Sequence, residues 1–308
     1  MAEIIGFVGL GNMGTPMVQQ LLAAGHRVQA YDVSEDARVR AQELGATVTA
    51  SAHQVAVGAS TILTMLPAGE HVRQVYLGEN GLISAAASGS LLIDCSTIDI
   101  GTSRMVGTAA GSAGIEMIDA PVTGGIMAAR KGALNFIVGG TEAAFERAKP
   151  VLACMGKNLL YAGSQGSGIG VKICNNMALG VAMIAAAEAL MLAKRLGLDV
   201  KRTHQIISNA SGQNWALSNY SPLPGLVEGV PSNNGFKPGF TAEMMRKDLR
   251  LSQEAAASVN ACTPLGGEAL SIFSLFCANG DAQTDYSGIS KLIGGEAWDY
   301  PFSPDSGA

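Results

Sequence analysis

The chain has 308 residues, more than one ordinary core accommodates, which points to two domains. Apolar residues make up 48% of it and charged residues only 15%, below the usual share of about a quarter. A net charge of −5 gives no electrostatic drive toward nucleic acid or an anionic membrane, so an anionic substrate has to be captured by a local positive site.

Taken in chain order, the N-terminal half alternates short β-type runs with helical patterns. Ile4-Ile5-Gly6-Phe7-Val8 reads as a buried strand, Met13 to Ala24 as a helix stopped by Gly25, and Arg27 to Tyr31 as the next strand. Ser34 is placed to cap a helix that ends near Gly45. Thr61 to Leu66, Leu91 to Asp94, Glu116 to Asp119 and Leu134 to Val138 are further apolar runs of strand length. This order predicts a Rossmann-type α/β domain with a mostly parallel sheet over residues 1–163. After Gly163 the composition turns to Ala, Leu, Met and Ile. Gly168 to Leu196 reads as one long connecting helix, apolar nearly all round. Helical stretches follow at Val200 to Ser208, Thr241 to Val259 and Pro264 to Ala278, giving an all-helical second domain over 164–296 and a tail at 297–308. Ser218 to Gly239, rich in Pro, Gly, Ser and Asn, is the longest expected loop, and loops of that length often carry function.

Five cysteines without a C-x-x-C pair fit a reducing compartment, as small core hydrophobes. The four histidines are isolated, so no metal site is expected. With the first strand starting at Ile4 there is no room for a targeting segment, and the expected location is the cytoplasm. The apolar stretch Met177 to Ala193 is broken by Glu188, short of the roughly 18 uninterrupted residues of a spanning helix.

Three motifs carry chemistry. Gly9-Leu10-Gly11-Asn12-Met13-Gly14 follows a strand and opens a helix. In that context glycines permit the tight turn, the close approach to a pyrophosphate and the packing of helix on sheet. Asp32 ends the second strand, where a carboxylate bonds the adenosine ribose and repels a 2′-phosphate, which favours NAD. Met65-Leu66-Pro67 and Cys95-Ser96-Thr97 lie at strand ends on the same edge, although alone each would pass for an ordinary loop. The second motif, Asp119-Ala120-Pro121-Val122-Thr123-Gly124-Gly125, places a hydroxyl beside bare backbone N–H groups, a combination that suits a carboxylate but also describes a simple turn. In the third, Gly166 to Asn176, Lys172 and Asn176 are four apart and share a helix face. A lysine and an amide on an apolar, buried helix are costly unless used. A buried lysine, easier to deprotonate than an exposed one, suits proton transfer from an alcohol.

With these motifs in hand, the chain resembles the β-hydroxyacid dehydrogenase family, and within it the branch acting on 3-hydroxyisobutyrate. The glycine motif with Thr15-Pro16-Met17, the Asp119 to Gly125 and Gly168 to Asn176 stretches and Lys247-Asp248-Leu249 match family signatures, over Ile4 to about Leu292. Lys172-Ile173-Cys174-Asn175-Asn176-Met177 and the segment from Ser211-Gly212 through Trp215, Tyr220 to Gly225 and Gly229 to Ser232 are similar to that branch in particular. The family more often has Ser where this chain has Thr123, so the hydroxyl is kept.

The resemblance implies NAD as cofactor, held by Gly9 to Gly14, Asp32, Met65, Leu66, Pro67, Thr97 and Lys247. It implies that Thr123, Gly124, Gly125 and Asp248 bind a 3-hydroxy carboxylate, that Lys172 is the acid/base and that Asn176 positions the alcohol. Oxidation of 3-hydroxyisobutyrate to methylmalonate semialdehyde, a step of valine breakdown, is the expected reaction. A sister activity on serine, glycerate or tartronate semialdehyde is the alternative. A relative that only binds cofactor is expected to lack the lysine, and a gluconate-type decarboxylating enzyme needs a larger helical domain. A charge-poor second domain is expected to bury its faces in a homodimer or homotetramer.

Overall fold

The computed structural model describes residues 4–295 and Trp298, so the expected tail at 297–308 lies outside the described residues apart from Trp298. The chain divides into compact units Met1–Ile173 and Cys174–Ala308. This division falls inside the long helix, whereas the composition changes ten residues earlier, after Gly163.

The first unit is built on strands β1 (Ile4–Val8), β2 (Arg27–Tyr31), β3 (Thr47–Val48), β4 (Thr61–Thr64), β5 (Leu91–Asp94), β6 (Glu116–Asp119), β7 (Val122–Thr123), β8 (Leu134–Gly139) and β9 (Gly156–Gly163). They form one sheet in the order β3-β2-β1-β4-β5-β6-β8-β7, with β9 beside β8. From β3 to β6 all pairs are parallel, and the sheet turns antiparallel where β8 meets β6 and β7. β4 and β5 are buried at every position, which is why they read as unbroken apolar runs, whereas β2 alternates. Helices α1 (Gly14–Ala23), α2 (Glu35–Glu43), α3 (Ala52–Ala56), α4 (Gly69–Leu77), α5 (Leu82–Ala85), α6 (Ile100–Ser112), α7 (Gly125–Arg130) and α8 (Glu142–Ala153) supply the crossovers. Ser34 caps α2 by accepting from Ala37 N at 3.3 Å. The core gathers Ile5, Phe7, Leu10, Met17, Leu21, Leu63, Ile93, Ile118, Phe136 and Leu152. The strand order reverses between β1 and β4, and ligands of such sheets bind beyond the carboxyl ends of the strands at that switch point.

Helix α9 (Ser167–Arg195) runs 29 residues. Its most apolar stretch has a mean hydropathy of 1.7, so length and composition alone would let it cross a membrane despite Glu188. Half of that stretch is buried within the fold, as in the core helix of a globular protein.

The second unit carries α10 (Val200–Ser208), α11 (Trp215–Asn219), α12 (Ala242–Ser258), α13 (Pro264–Phe276) and α14 (Ile289–Gly294). Among its described residues there is no strand, only an isolated bridge between Thr241 and Asp285. Its main core joins Met183, Ile184 and Ala187 of α9 with Met245 and Leu249 of α12, Phe273 and Phe276 of α13, and Tyr286 and Ile289. The expected loop Ser218 to Gly239 contains a 3-10 turn, Pro231–Asn234, and is pinned by side chains. Ser232 Oγ donates to Ser221 O at 2.8 Å, Asn233 accepts from Gly225 N at 2.7 Å, and the buried Asp285 accepts from Tyr220 OH, Gly239 N and Phe240 N.

Candidate functional site

The glycine loop has the geometry its spacing predicts. Gly9 turns with φ of 99°, and a Cβ there would run into Met65 O. A Cβ on Gly14 would run into Gly9 O, whereas around Gly11 there is open space for a ligand to approach. Helix α1 begins at Gly14 with Met13 before it and no side-chain cap; Thr15 N donates to Gly11 O at 3.0 Å and Pro16 has no N–H, which leaves the N–H groups of Met13 and Gly14 for a ligand. Gly11 and Asn12 are exposed at the loop tip. Asp32 ties its own strand end to this loop, accepting from Leu10 N at 2.6 Å and Ser34 N at 2.8 Å. Arg38, the next cation along the chain, donates to the carbonyls of Asp32 and Val33 at 2.7 and 3.2 Å, so its guanidinium is engaged with the main chain.

Beside the loop lies a buried polar network that sequence reasoning missed. Tyr76 OH lies 2.7 Å from Thr64 Oγ1, and Thr64 Oγ1 donates to Asp94 Oδ1 at 2.8 Å, which makes the tyrosine the donor of the first bond. The same Oδ1 accepts from Ser96 N at 3.1 Å and Ser96 Oγ at 2.5 Å, and Ser96 Oγ in turn accepts from Leu66 N at 2.8 Å. Asp94 Oδ2 accepts no hydrogen bond. Burial pushes the Asp94 carboxyl up, with the Ser96 and Thr64 bonds opposing, and pushes the Tyr76 hydroxyl and Cys95 thiol well up too. The network joins the Met65-Leu66-Pro67 and Cys95-Ser96-Thr97 segments, each an ordinary loop when taken alone. Leu66 and Thr97 are half-buried and Pro67 is exposed.

Asp119 also serves a purpose the sequence did not reveal. Its oxygens accept from Gly166 N at 2.6 Å and Ile169 N at 2.8 Å, tying the end of β6 to the first turn of α9. Gly139 and Gly168 crowd this carboxylate so closely that neither has room for a Cβ. Burial raises the Asp119 carboxyl to about 6 against those backbone donors, and the neighbouring Asp94 adds to the rise. Four residues beyond Asp119, half-buried Thr123 ends β7, and Gly124 and Gly125 follow with φ of 114° and 66°. Thr123 Oγ1 accepts from Asn135 Nδ2 at 3.1 Å.

Lys172 and Asn176 lie on α9 one turn apart, and both are buried, at 8% and 2% exposure. In the second unit Asn176 Nδ2 donates to Asp248 Oδ2 at 2.5 Å, and Asn176 Oδ1 accepts from Asn175 Nδ2 at 2.9 Å. Lys247 Nζ stands 3.1 Å from Asp248 Oδ1. That oxygen accepts no well-aligned hydrogen bond, so the contact is an ion pair with acceptor capacity to spare. The fit depends on Gly180, one further turn along α9. A Cβ there would stand 3.1 Å from both Leu249 Cδ2 and Met245 Sδ, so the bare backbone lets α9 and α12 approach closely. The structure thus joins Asn176, Asp248 and Lys247, three residues the sequence could associate only through resemblance.

A groove of about 690 Å³ beside α6, lined in part by Arg104, Thr108, Tyr161 and Gln165, contains none of the expected site residues. Among the described residues no group of three or more His, Cys, Asp or Glu could hold a metal ion.

Comparison with known proteins bears on the chain as a whole. Residues 4–163 match the family described as the NAD binding domain of 6-phosphogluconate dehydrogenase. Residues 166–293 match the one described as NAD-binding of NADP-dependent 3-hydroxyisobutyrate dehydrogenase. The chain is 47% identical over 295 residues to a 3-hydroxyisobutyrate dehydrogenase of Pseudomonas aeruginosa, covering 95% of this chain and 99% of that one. It is 42% identical to an NAD-dependent L-serine dehydrogenase of the same organism, covering 94% and 97%. A solved structure of Mycobacterium tuberculosis 3-hydroxyisobutyrate dehydrogenase with L-serine superposes with a TM-score of 0.91 at 41% identity, covering 95% and 99%.

Proposed function

The chain belongs to the β-hydroxyacid dehydrogenase family, and from that premise we propose that it oxidises 3-hydroxyisobutyrate to methylmalonate semialdehyde with NAD⁺, a step of valine breakdown. The observation that carries this reading is the polar face of α9, with Lys172 and Asn176 buried one turn apart and Asn176 fixed by Asp248.

The residues present fit a dinucleotide. An uncapped helix start and open space at Gly11 suit the pyrophosphate. Asp32 suits a ribose with free hydroxyls and disfavours a 2′-phosphate, and the nearby Arg38 is occupied by carbonyl groups. Bound NAD⁺ supplies the hydride acceptor. The protein's part is to hold the substrate and move its proton. The Thr123 hydroxyl and the backbone N–H groups of Gly124 and Gly125 take the substrate carboxylate, Asn176 positions the 3-hydroxyl, and Lys172 Nζ receives the hydroxyl proton. Asp248 keeps the Asn176 amide oriented, and Lys247 beside it serves the cofactor side.

A second reading has its own support in the L-serine dehydrogenase relative and in the Mycobacterium tuberculosis structure with L-serine. Serine carries an ammonium where 3-hydroxyisobutyrate carries a methyl, so the two separate in a simple assay. Steady-state kinetics over a panel of 3-hydroxy acids with NAD⁺ and NADP⁺ is expected to give the highest kcat/KM for 3-hydroxyisobutyrate with NAD⁺. A higher value for serine or glycerate replaces the substrate, and equal use of NADP⁺ removes the role given to Asp32. Assembly as a homodimer or homotetramer is part of the same proposal. It is supported by exposed Leu192, Ile206, Leu265 and Leu275 on the helices of the second unit, and a monomeric mass in light scattering removes it.

A further inference from the structure

Thr123 sits on β7 directly opposite Asn135 of the antiparallel strand β8, so the two side chains share a face of the sheet. Asn135 in turn pairs with Asn158 of β9 on its other side. A chain of hydrogen bonds crosses these three strands in one direction. Asn158 Nδ2 donates to Asn135 Oδ1 at 2.7 Å, and Asn135 Nδ2 donates to Thr123 Oγ1 at 3.1 Å. Because an amide nitrogen only donates, the Asn158 bond obliges Asn135 to turn its oxygen toward β9 and its NH₂ toward Thr123.

This direction has a chemical consequence at the hydroxyl. A threonine hydroxyl has one proton and two lone pairs, and the Asn135 NH₂ fills one lone pair while being unable to accept the proton. We propose that Asn135 is a positioning residue for the substrate carboxylate. It holds Thr123 as a hydrogen-bond donor, with the O–H turned outward to a group that can only accept. Two donors in series also polarise that O–H, which strengthens its bond to an anion. The inference rests on the reading of Thr123 as a carboxylate anchor made above. It adds to that reading an asparagine that lies in none of the sequence motifs.

Reversing the direction of the bond tests it. In Asn135→Asp the new carboxylate accepts from Thr123, so the hydroxyl proton is drawn away from the substrate and a negative charge is placed next to the substrate's own. KM for 3-hydroxyisobutyrate is expected to rise by more than about tenfold, with kcat and NADH affinity close to the parent's. KM should recover as the pH is lowered until the new carboxyl protonates and can donate again. Asn135→Ala, which frees the hydroxyl to rotate, should raise KM by about three- to tenfold, the net worth of one hydrogen bond. It also decides the matter if the aspartate variant does not fold. The Asn135→Ala effect should vanish in a Thr123→Val background, because a residue acting through Thr123 has nothing left to orient, whereas Asn135→Asp keeps there only the part due to its charge. If Thr123→Val leaves KM unchanged, the carboxylate reading itself fails. If Thr123→Val raises KM while the Asn135 variants do not, or if Asn135→Ala raises it equally without the hydroxyl, the assignment of Asn135 is overturned.

Discussion

Asp94 and Asp248 are both almost wholly buried, at 1% and 2% exposure, and they are held in opposite ways. Asp94 gathers three hydrogen bonds on a single oxygen, all from Thr64 and Ser96. Asp248 spends one oxygen on the Asn176 amide and faces the other to Lys247 Nζ. The first carboxylate organises backbone, tying two loops at the edge of a parallel sheet. The second organises side chains that carry reactive groups. A buried acid therefore says little until its partners are counted. Donors from neighbouring loops mark a scaffold, whereas an amide and a cation from helix faces mark a site.

The contrast breaks most visibly at Lys172, the buried lysine one turn before Asn176. If it is the acid/base, Lys172→Ala should fold and bind NADH like the parent while kcat falls by roughly 10²–10⁴-fold. Lys172→Arg keeps the charge but cannot release a proton near neutral pH, so it should fail about as badly. A variant retaining more than about a tenth of parental kcat would return the lysine to the scaffold.

Applying one conservative change to both carboxylates sharpens the comparison further. Asp248→Asn keeps an acceptor for Asn176 but removes the counter-charge of Lys247. It should lower kcat/KM by about tenfold or more, at least ~1.4 kcal/mol of transition-state stabilisation. Asp94→Asn can place its NH₂ where Oδ2 now has no partner and keep all three bonds on the remaining oxygen. It should leave kcat/KM within about threefold and cost about 1–3 kcal/mol of stability for the unpaired NH₂. Kinetics and thermal melts on the two variants decide, and the reverse pattern would sink the distinction.

The last effect concerns Asp119, bears on stability alone and needs a pH series. Its folded pKa of about 6 exceeds the ordinary 3.8, so the carboxyl favours the folded state fully below pH 4. This contribution is lost as pH rises to about 6, because the folded state must then carry a buried charge. The difference amounts to about 3 kcal/mol at most. The stability gap between the parent and Asp119→Asn should therefore narrow from pH 4 to pH 7. Calorimetric or denaturant measurements that show it widening would contradict the assignment.

The parts of the fold legible in the sequence were those written in one short stretch of chain. β1, β2, β5 and β6 run between the very residues the sequence suggested, β1, β5 and β6 because central parallel strands are buried on both faces and β2 because its burial alternates. β4 stops two residues before the apolar run does, at Thr64, since Leu66 gives its N–H to Ser96. β9 was not anticipated. It lies outside β8, most of its positions are exposed or half-buried, and Lys157 and Asn158 interrupt its pattern. The site followed the same division. The glycine motif and the spacing of Lys172 and Asn176 are local and could be read directly. The Ser96 bond to Leu66 and the Asn135 bond to Thr123 join separate strand segments, and no local pattern signals them.

Gly180 lies outside every motif, yet it controls one of them. A methyl group there would stand 3.1 Å from Leu249 Cδ2 and Met245 Sδ, so these two side-chain ends would have to give by a few tenths of an ångström, and Asp248 shares α12 with both residues. In a mutational scan any loss of turnover at this position would be scored as chemistry, although no reacting atom comes from it. Over evolutionary drift the bond between Asn176 and Asp248 is thus inherited together with an empty space, and a lineage that fills the space must reshape Leu249 or Met245 before the amide can keep its place.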